Sequence, residues 1–241
     1  MNLLLVDPAE LTDGACVVRD RRADHVRAVL GAGVGARIKV GVIGGPIGTA
    51  EILADAGGAM TLAFTASEPA PAPLPIELVL AIPRPKVLSR VLEAAASFAV
   101  ARIVLTNAWR VDKSYLSSPR LADDALALAV RLGAEQGATT HLPPVVVHRR
   151  LMAMLDAPAD GTRLQLIAHP GAPPIEAVVP PGVGGAITLA IGPEGGWIPR
   201  EVETFVARGY APVSLGSAIL RVETAVAAAL GQLIMLRRMK A

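Results

Sequence analysis

Residues 186–197 read Ala186-Ile187-Thr188-Leu189-Ala190-Ile191-Gly192-Pro193-Glu194-Gly195-Gly196-Trp197. The run up to Ile191 is almost continuously apolar, as a parallel strand buried on both faces should be. It stops at a glycine-rich loop, and residues 199–208 beyond it carry a helical pattern. A strand that feeds such a loop and then a helix matches the position where open α/β sheets bind ligands, outside the carboxyl ends of their strands. Glycines there permit positive φ and let a ligand approach the backbone closely. An ordinary tight turn would also use them. No Gly-Lys-Ser/Thr follows, so the loop is not a phosphate-binding P-loop. Gly192, Gly195 and Gly196 also miss the G-x-G-x-x-G spacing, which disfavours a nicotinamide or nucleotide enzyme on an ordinary doubly wound fold.

Working outward, strand and helix alternate. Strands are expected at 76–81, 103–106, 145–147, 164–168, 186–191 and 212–215. Helices are expected at 87–99, 118–137, 149–155, 199–208 and 222–239, with Ser118 an N-cap candidate before Pro119. This alternation implies an α/β domain with a largely parallel sheet. Residues 67–75, SEPAPAPLP, read as a semi-rigid linker. Before it, short apolar runs at 3–6, 16–18, 37–42, 47–53 and 60–65 are punctuated by Gly44-Gly45 and Gly57-Gly58, with one helix at 23–30. Short strands with one helix suggest a small β-barrel. The expected domains are therefore 1–70 and 71–241.

Composition narrows the function classes. Of 241 residues, 52% are hydrophobic and 3% aromatic, which argues for a packed core and against RNA surfaces built on stacked aromatics. The net charge is only +2, and residues 1–70 carry six basic and eight acidic side chains. One cysteine, Cys16, excludes a disulfide framework and a Cys-rich zinc site within the chain, and it reads as a small buried hydrophobe. The four histidines form no metal-ligand pair, so no metal is expected. His141 and His148 read as structural. The first ten residues lack a signal-peptide pattern and no apolar run reaches membrane-spanning length, so a soluble cytoplasmic protein is expected.

A second strand end is equally unusual: Leu215-Gly216-Ser217-Ala218-Ile219-Leu220-Arg221-Val222-Glu223-Thr224-Ala225. Arg221 sits where a helix begins, beside the positive end of its dipole. That placement suits an anionic partner better than it suits stability.

IGPEGGW and LGSAILRVETA together resemble the second and third signature motifs of the 16S rRNA (uracil-N3) methyltransferases, a family of the SPOUT superfamily of S-adenosylmethionine (SAM)-dependent enzymes. The resemblance implies an N-terminal PUA-like RNA-binding β-barrel and a C-terminal SPOUT α/β domain tied in a deep trefoil knot. It also implies a homodimer formed through the C-terminal domain, a role in rRNA processing and ribosome biogenesis, and 16S rRNA or the 30S subunit as partner. SAM would be bound in the knot by Ala168, His169, Pro170, Ile191, Gly192, Pro193, Gly195, Gly196, Leu215, Gly216, Ile219, Leu220, Arg221 and Thr224. The segment Asp24–Leu30 resembles a family pattern that continues with arginine, where this chain has Gly31. Ala134-Glu135-Gln136 is similar to another, but the arginine expected soon after is replaced by Gly137-Ala138-Thr139-Thr140.

Within this reading, Arg221 would hold the anion that forms when uracil N3 loses its proton, since a guanidinium fork suits paired oxygens. Glu194 and Glu223 are candidate general bases. Arg22, His25, Arg27 and Arg110 are candidate RNA contacts. Glu135 and Gln136 would hydrogen-bond within the knotted domain or face substrate, and Trp197 would anchor packing. The alternatives are a SPOUT enzyme with another RNA target and a SAM-binding, RNA-associated module without catalysis.

Overall fold

The computed structural model describes residues 1–156 and 162–240. They fall into two units: Met1–Pro73 joined by Arg131–Leu142, and the remainder from Leu74 on.

In the first unit, β1 (Leu4–Val6), β2 (Ala15–Val18), the short helix α1 (Arg21–His25), β3 (Arg37–Val42), β4 (Ile47–Ala56) and β5 (Ala59–Glu68) follow one another. The strands pair in the order β1-β3-β4-β5-β2. Gly57 and Gly58, both at positive φ (59° and 79°), supply the tight turn between β4 and β5. Register shifts at Ile47/Gly48 and Ile52/Ala54 mark bulges that bend β4. A Cβ at Gly48 would lie 2.0 Å from the Thr65 carbonyl oxygen, so this close crossing requires glycine. The expected barrel is a five-stranded sheet here: no pairing between the edge strands β1 and β2 is found among the described residues. Its core includes Val6, Val18, Val40, Ile52, Met60 and Leu62, all fully buried. Cys16 joins them, and burial pushes its thiol pKa up.

Both segments that depart from the family pattern have a defined local structure. The expected helix at 23–30 begins earlier, capped by Asp20, and ends in a wider π-helical turn, Val26–Leu30. Gly31 then terminates it in the left-handed conformation (φ 59°), which an arginine would adopt only with strain. Thr140 is 1% exposed and donates its hydroxyl to the Gly45 carbonyl (2.8 Å). A Cβ at Gly41 would come within 2.7 Å of the Thr140 methyl, so Thr140 packs directly on the Gly41 backbone.

Residues 131–142 are bound to this first unit, which periodicity did not suggest. Glu135 is 1% exposed and accepts two 2.8 Å bonds from the Arg21 guanidinium, a bidentate pair. Its backbone carbonyl accepts from Asn2 and Leu3 N–H (3.0 Å each), and Arg131 donates to the Leu5 carbonyl (2.8 Å). Glu135 therefore holds the N-terminal unit together, correcting both readings expected for it. Arg22 is corrected as well. It is 4% exposed, and its donors are spent on Glu10, Asp20 and the Leu5 carbonyl, which leaves none for phosphate.

The second unit contains β6 (Leu74–Ala81), α2 (Pro85–Ser97), β7 (Val100–Thr106), α3 (Asp123–Gly137, whose last residues belong to the first unit), β8 (Val145–His148) and α4 (Leu151–Leu155). Then follow β9 (Leu164–Ala168), α5 (Ile175–Val178), β10 (Ile187–Ile191), α6 (Pro199–Val206), β11 (Ala211–Val213) and α7 (Val222–Arg238). Ser118 caps a 3-10 turn, Pro119–Leu121, so α3 starts later than expected. The sheet order is β11-β9-β10-β6-β7-β8, and every pairing is parallel. β10 is buried along its whole length, as its composition predicts. No described helix is long and apolar enough to cross a membrane.

The Arg22 cluster gives a pH-dependent prediction. Hydrogen bonds from Arg22 hold the Glu10 and Asp20 carboxyls below their usual pKa. Stability from these groups is full above the unfolded carboxylate range of about 4 and is lost as pH falls through the lower folded values. Arg22→Met should cost about 2 kcal/mol at pH 7, below the figure for a fully buried pair because both carboxylates are partly exposed. It should also flatten the stability–pH curve below pH 5. Urea denaturation followed by circular dichroism at several pH values checks both, and an unchanged curve contradicts the assignment.

Candidate active site

Parallel strands place their carboxyl ends on one edge, and at β9, β10 and β11 that edge opens into a cavity of about 720 Å³. This lies within the usual range for small-molecule sites. Three loops build it. After β10, Gly192–Trp197 turns back through a bond from Gly196 N–H to the Pro193 carbonyl (2.8 Å), with Gly196 at φ 69°. A Cβ at Gly192 would meet the Trp197 ring at 3.2 Å, so glycine lets the loop fold onto the indole. After β9, His169 N–H donates to the Val213 carbonyl (2.9 Å) and Ser214 N–H to the Pro173 carbonyl (2.8 Å), which tie two of the walls together. The third wall is the loop after β11, up to the start of α7.

Of the residues expected to hold a cofactor, all but Arg221 and Thr224 line this cavity. Helix phase explains the exceptions. Val222 and Ala225, three apart on α7, present the cavity face, while Thr224 is exposed and Arg221 is the extended N-cap before the helix. Arg221 stands between two lining residues, Leu220 and Val222, with no hydrogen bond or ion pair from its side chain among the described residues. Glu194 lines the cavity, and one of its carboxylate oxygens accepts from Arg84 N–H (2.9 Å). Glu223 is on α7 outside the lining.

Sequence reasoning missed Gln232, a full two turns beyond Ala225, and Ser214, Ser217 and Glu176, whose positions depend on how the loops fold. Trp197 has two roles. It packs on Phe205 (ring centroids 4.9 Å apart), which meets Tyr210 edge to face, and it also lines the cavity. Burial pushes the Tyr210 pKa up to about 12, so that phenol stays protonated.

The polar groups of the walls point to a ligand. No backbone N–H of residues 215–220 donates to a protein acceptor among the described residues. His169 Nδ1, Trp197 Nε1 and Gln232 Oε1 are buried without a partner. Buried polar groups are rarely left so. No cluster of three or more metal-ligating side chains occurs among the described residues.

The remaining candidates lie elsewhere. Arg27 is tied to Asp55 (2.7 Å) and Asp24 (3.1 Å), and His25 Nε2 is buried without a partner. Arg110 is exposed and donates to the Gly195 carbonyl beside the cavity. Glu201, 8% exposed, went unnoticed in the sequence. It accepts from Trp109 N–H (2.7 Å) with one oxygen and from Ile198 N–H (3.0 Å) with the other, pinning two loops together.

Comparison with known proteins gives a consistent picture. A profile of the RNA methyltransferase domain family matches residues 70–234. The chain is 30% identical over 236 residues to the ribosomal RNA small subunit methyltransferase E of Treponema pallidum, covering 95% of this chain and 89% of that protein. The Synechocystis protein of the same name is 27% identical, over 95% of this chain and 76% of the other. The structure of a ribosomal RNA small subunit methyltransferase E from Neisseria gonorrhoeae, bound to S-adenosyl methionine, superposes with a TM-score of 0.82 over 98% of both chains at 24% identity. A Legionella pneumophila methyltransferase in complex with SAM gives 0.79 over 96% of both chains at 24% identity. At that identity the likeness shows the fold.

Glu201→Leu tests the loop architecture. Losing both acceptors should destabilise the protein by about 2–3 kcal/mol and speed hydrogen exchange at the Trp109 and Ile198 amides about tenfold or more. Unchanged exchange at both amides would contradict the pinning role.

Proposed function

The chain belongs to the RNA methyltransferase domain family, and from that premise we propose that it is a SAM-dependent rRNA methyltransferase whose target is N3 of a uridine in the 16S rRNA of the small ribosomal subunit. One observation carries the reading. The two strand-end loops that resemble the family motifs converge on one cavity, and the second offers a run of unpaired backbone amides.

Those amides, the Gly192–Trp197 backbone and the unpaired polar groups of His169 and Gln232 suit a ligand with many hydrogen-bonding edges, which adenosine and a methionyl zwitterion supply. The residues present therefore fit SAM, which when bound supplies an electrophilic methyl group. Leu215, Leu220, Val222 and Ala225 give the cavity an apolar side that excludes water. Arg221, flanked in the chain by the lining residues Leu220 and Val222, holds the negative charge that develops on the uracil carbonyl oxygens as N3 is deprotonated. Glu194 accepts that proton, because it already lines the cavity, while Glu223 lies farther round α7.

The same proposal includes a PUA-like RNA-binding role for residues 1–70, a knotted C-terminal domain, a cytoplasmic location and a homodimer through the C-terminal domain. Exposed Ile219 (79%) and Met235 (55%) supply apolar surface for such a dimer.

The test is methyl transfer from labelled SAM to 30S subunits, with nucleosides identified by mass spectrometry. 3-Methyluridine in 16S rRNA is expected, and absence of any methylated nucleoside overturns the reading. Arg221→Ala should lower kcat about 100-fold or more while SAM affinity stays within about twofold.

A further inference from the structure

The carboxyl edge of the parallel sheet extends past the cavity, over β6, β7 and β8, and its chemistry is distinctive. Helix N-caps favour Ser, Thr, Asp or Asn, whose side chains satisfy free backbone N–H groups. In this unit the N-caps of α2, α4 and α7 are Arg84, Arg150 and Arg221, none making a side-chain cap bond. Lys86 adds a cation to the first turn of α2, where the helix dipole disfavours positive charge. Lys113 follows β7. All five are exposed, and none has an ion-pair partner among the described residues. Acids share the edge as well: Asp112 and Glu194 each accept a backbone N–H, from Ser114 and Arg84 respectively, Glu176 lines the cavity, and Glu223 sits in the first turn of α7. The N-terminal unit differs: there Arg21, Arg22 and Arg27 are each paired with carboxylates.

On the same edge, just past the end of β7, stands Trp109, 79% exposed in a protein with only two tryptophans. Its backbone is fixed by Glu201, and the next residue, Arg110, is bonded to Gly195 of the cavity wall. A large aromatic held rigidly in water beside a ligand cavity contributes nothing to the core. Aromatic faces flanked by cations are how proteins hold single-stranded nucleic acid: bases stack on the ring while phosphates meet the charges.

We propose that this edge is the RNA track of the protein, with Trp109 the platform for a base flanking the reactive nucleotide and Arg84, Lys86, Lys113 and Arg150 the contacts to its phosphates. The proposal rests on the methyltransferase reading and names where its substrate lies. The track leads single-stranded RNA along the carboxyl ends of β6–β8 toward the cavity and Arg221.

The full-length protein is titrated with a 12-nucleotide oligouridylate while tryptophan emission is followed, and methyl transfer to 30S subunits is measured in parallel. Saturable quenching is expected in the wild type and should be absent in Trp109→Leu. Trp109→Leu should weaken oligonucleotide binding and raise KM for 30S subunits about tenfold or more, with SAM affinity unchanged and KM largely restored in Trp109→Phe. The Lys86→Ala/Arg150→Ala double variant should reduce the log–log salt slope of oligonucleotide binding by about 1.4. Wild-type affinity, quenching and KM in Trp109→Leu, or an unchanged salt slope, overturn the proposal even if 30S subunits are methylated. Trp109-dependent quenching without any methyl transfer supports the track and overturns the proposed reaction instead.

Discussion

Every strand of the six-stranded sheet runs the same way, and that constraint organises the second unit. Parallel pairing puts all the carboxyl ends on one edge, and the loops that leave those ends lead into the helices. Free helix amides, glycine loops and the residues at helix starts are therefore gathered together without any local sequence feature to gather them. The sheet can be built this way only because both of its faces are buried, as the unbroken burial of β10 shows.

The two units differ in where they leave arginines unpaired. In the first, arginines are structural: Arg21 and Arg22 bind partners far away in sequence and join residues 131–142 and the 3-10 turn at Pro8–Glu10 to the sheet. A buried guanidinium with every donor engaged fixes one arrangement of its neighbours, since losing a partner would leave charge unsatisfied. In the second, Arg102, Arg163 and Arg208 are also paired with carboxylates, but Arg84, Arg150 and Arg221 occupy positions that cost helix stability and remain exposed. A net charge of +2 hides this division, because the average is taken over paired and unpaired cations alike.

Much of the second unit was legible in the sequence. Apolar runs marked β6, β9 and β10 within two residues, because strands buried on both faces leave no room for polar alternation. Glycine punctuation marked the loops that line the cavity. Arg221 and Thr224 were misplaced because their lining depended on the phase of α7, which is set by where the helix begins, and Gln232 was missed for the same reason. Long-range partners were beyond reach. Arg22 reads as an RNA contact until Glu10 is brought to it, and nothing in the sequence pairs Arg21 with Glu135. Closure of the first sheet could not be decided either, since strand count and turn spacing fit an open sheet as well as a barrel.

The central claim is that the loops after β9, β10 and β11 form one cofactor site. Hydrogen exchange of the full-length protein with and without saturating SAM tests it most directly. The account predicts added protection at 169–171, 192–197 and 215–220 and little change in the first unit. Absence of protection at these loops, or protection centred elsewhere, would contradict it.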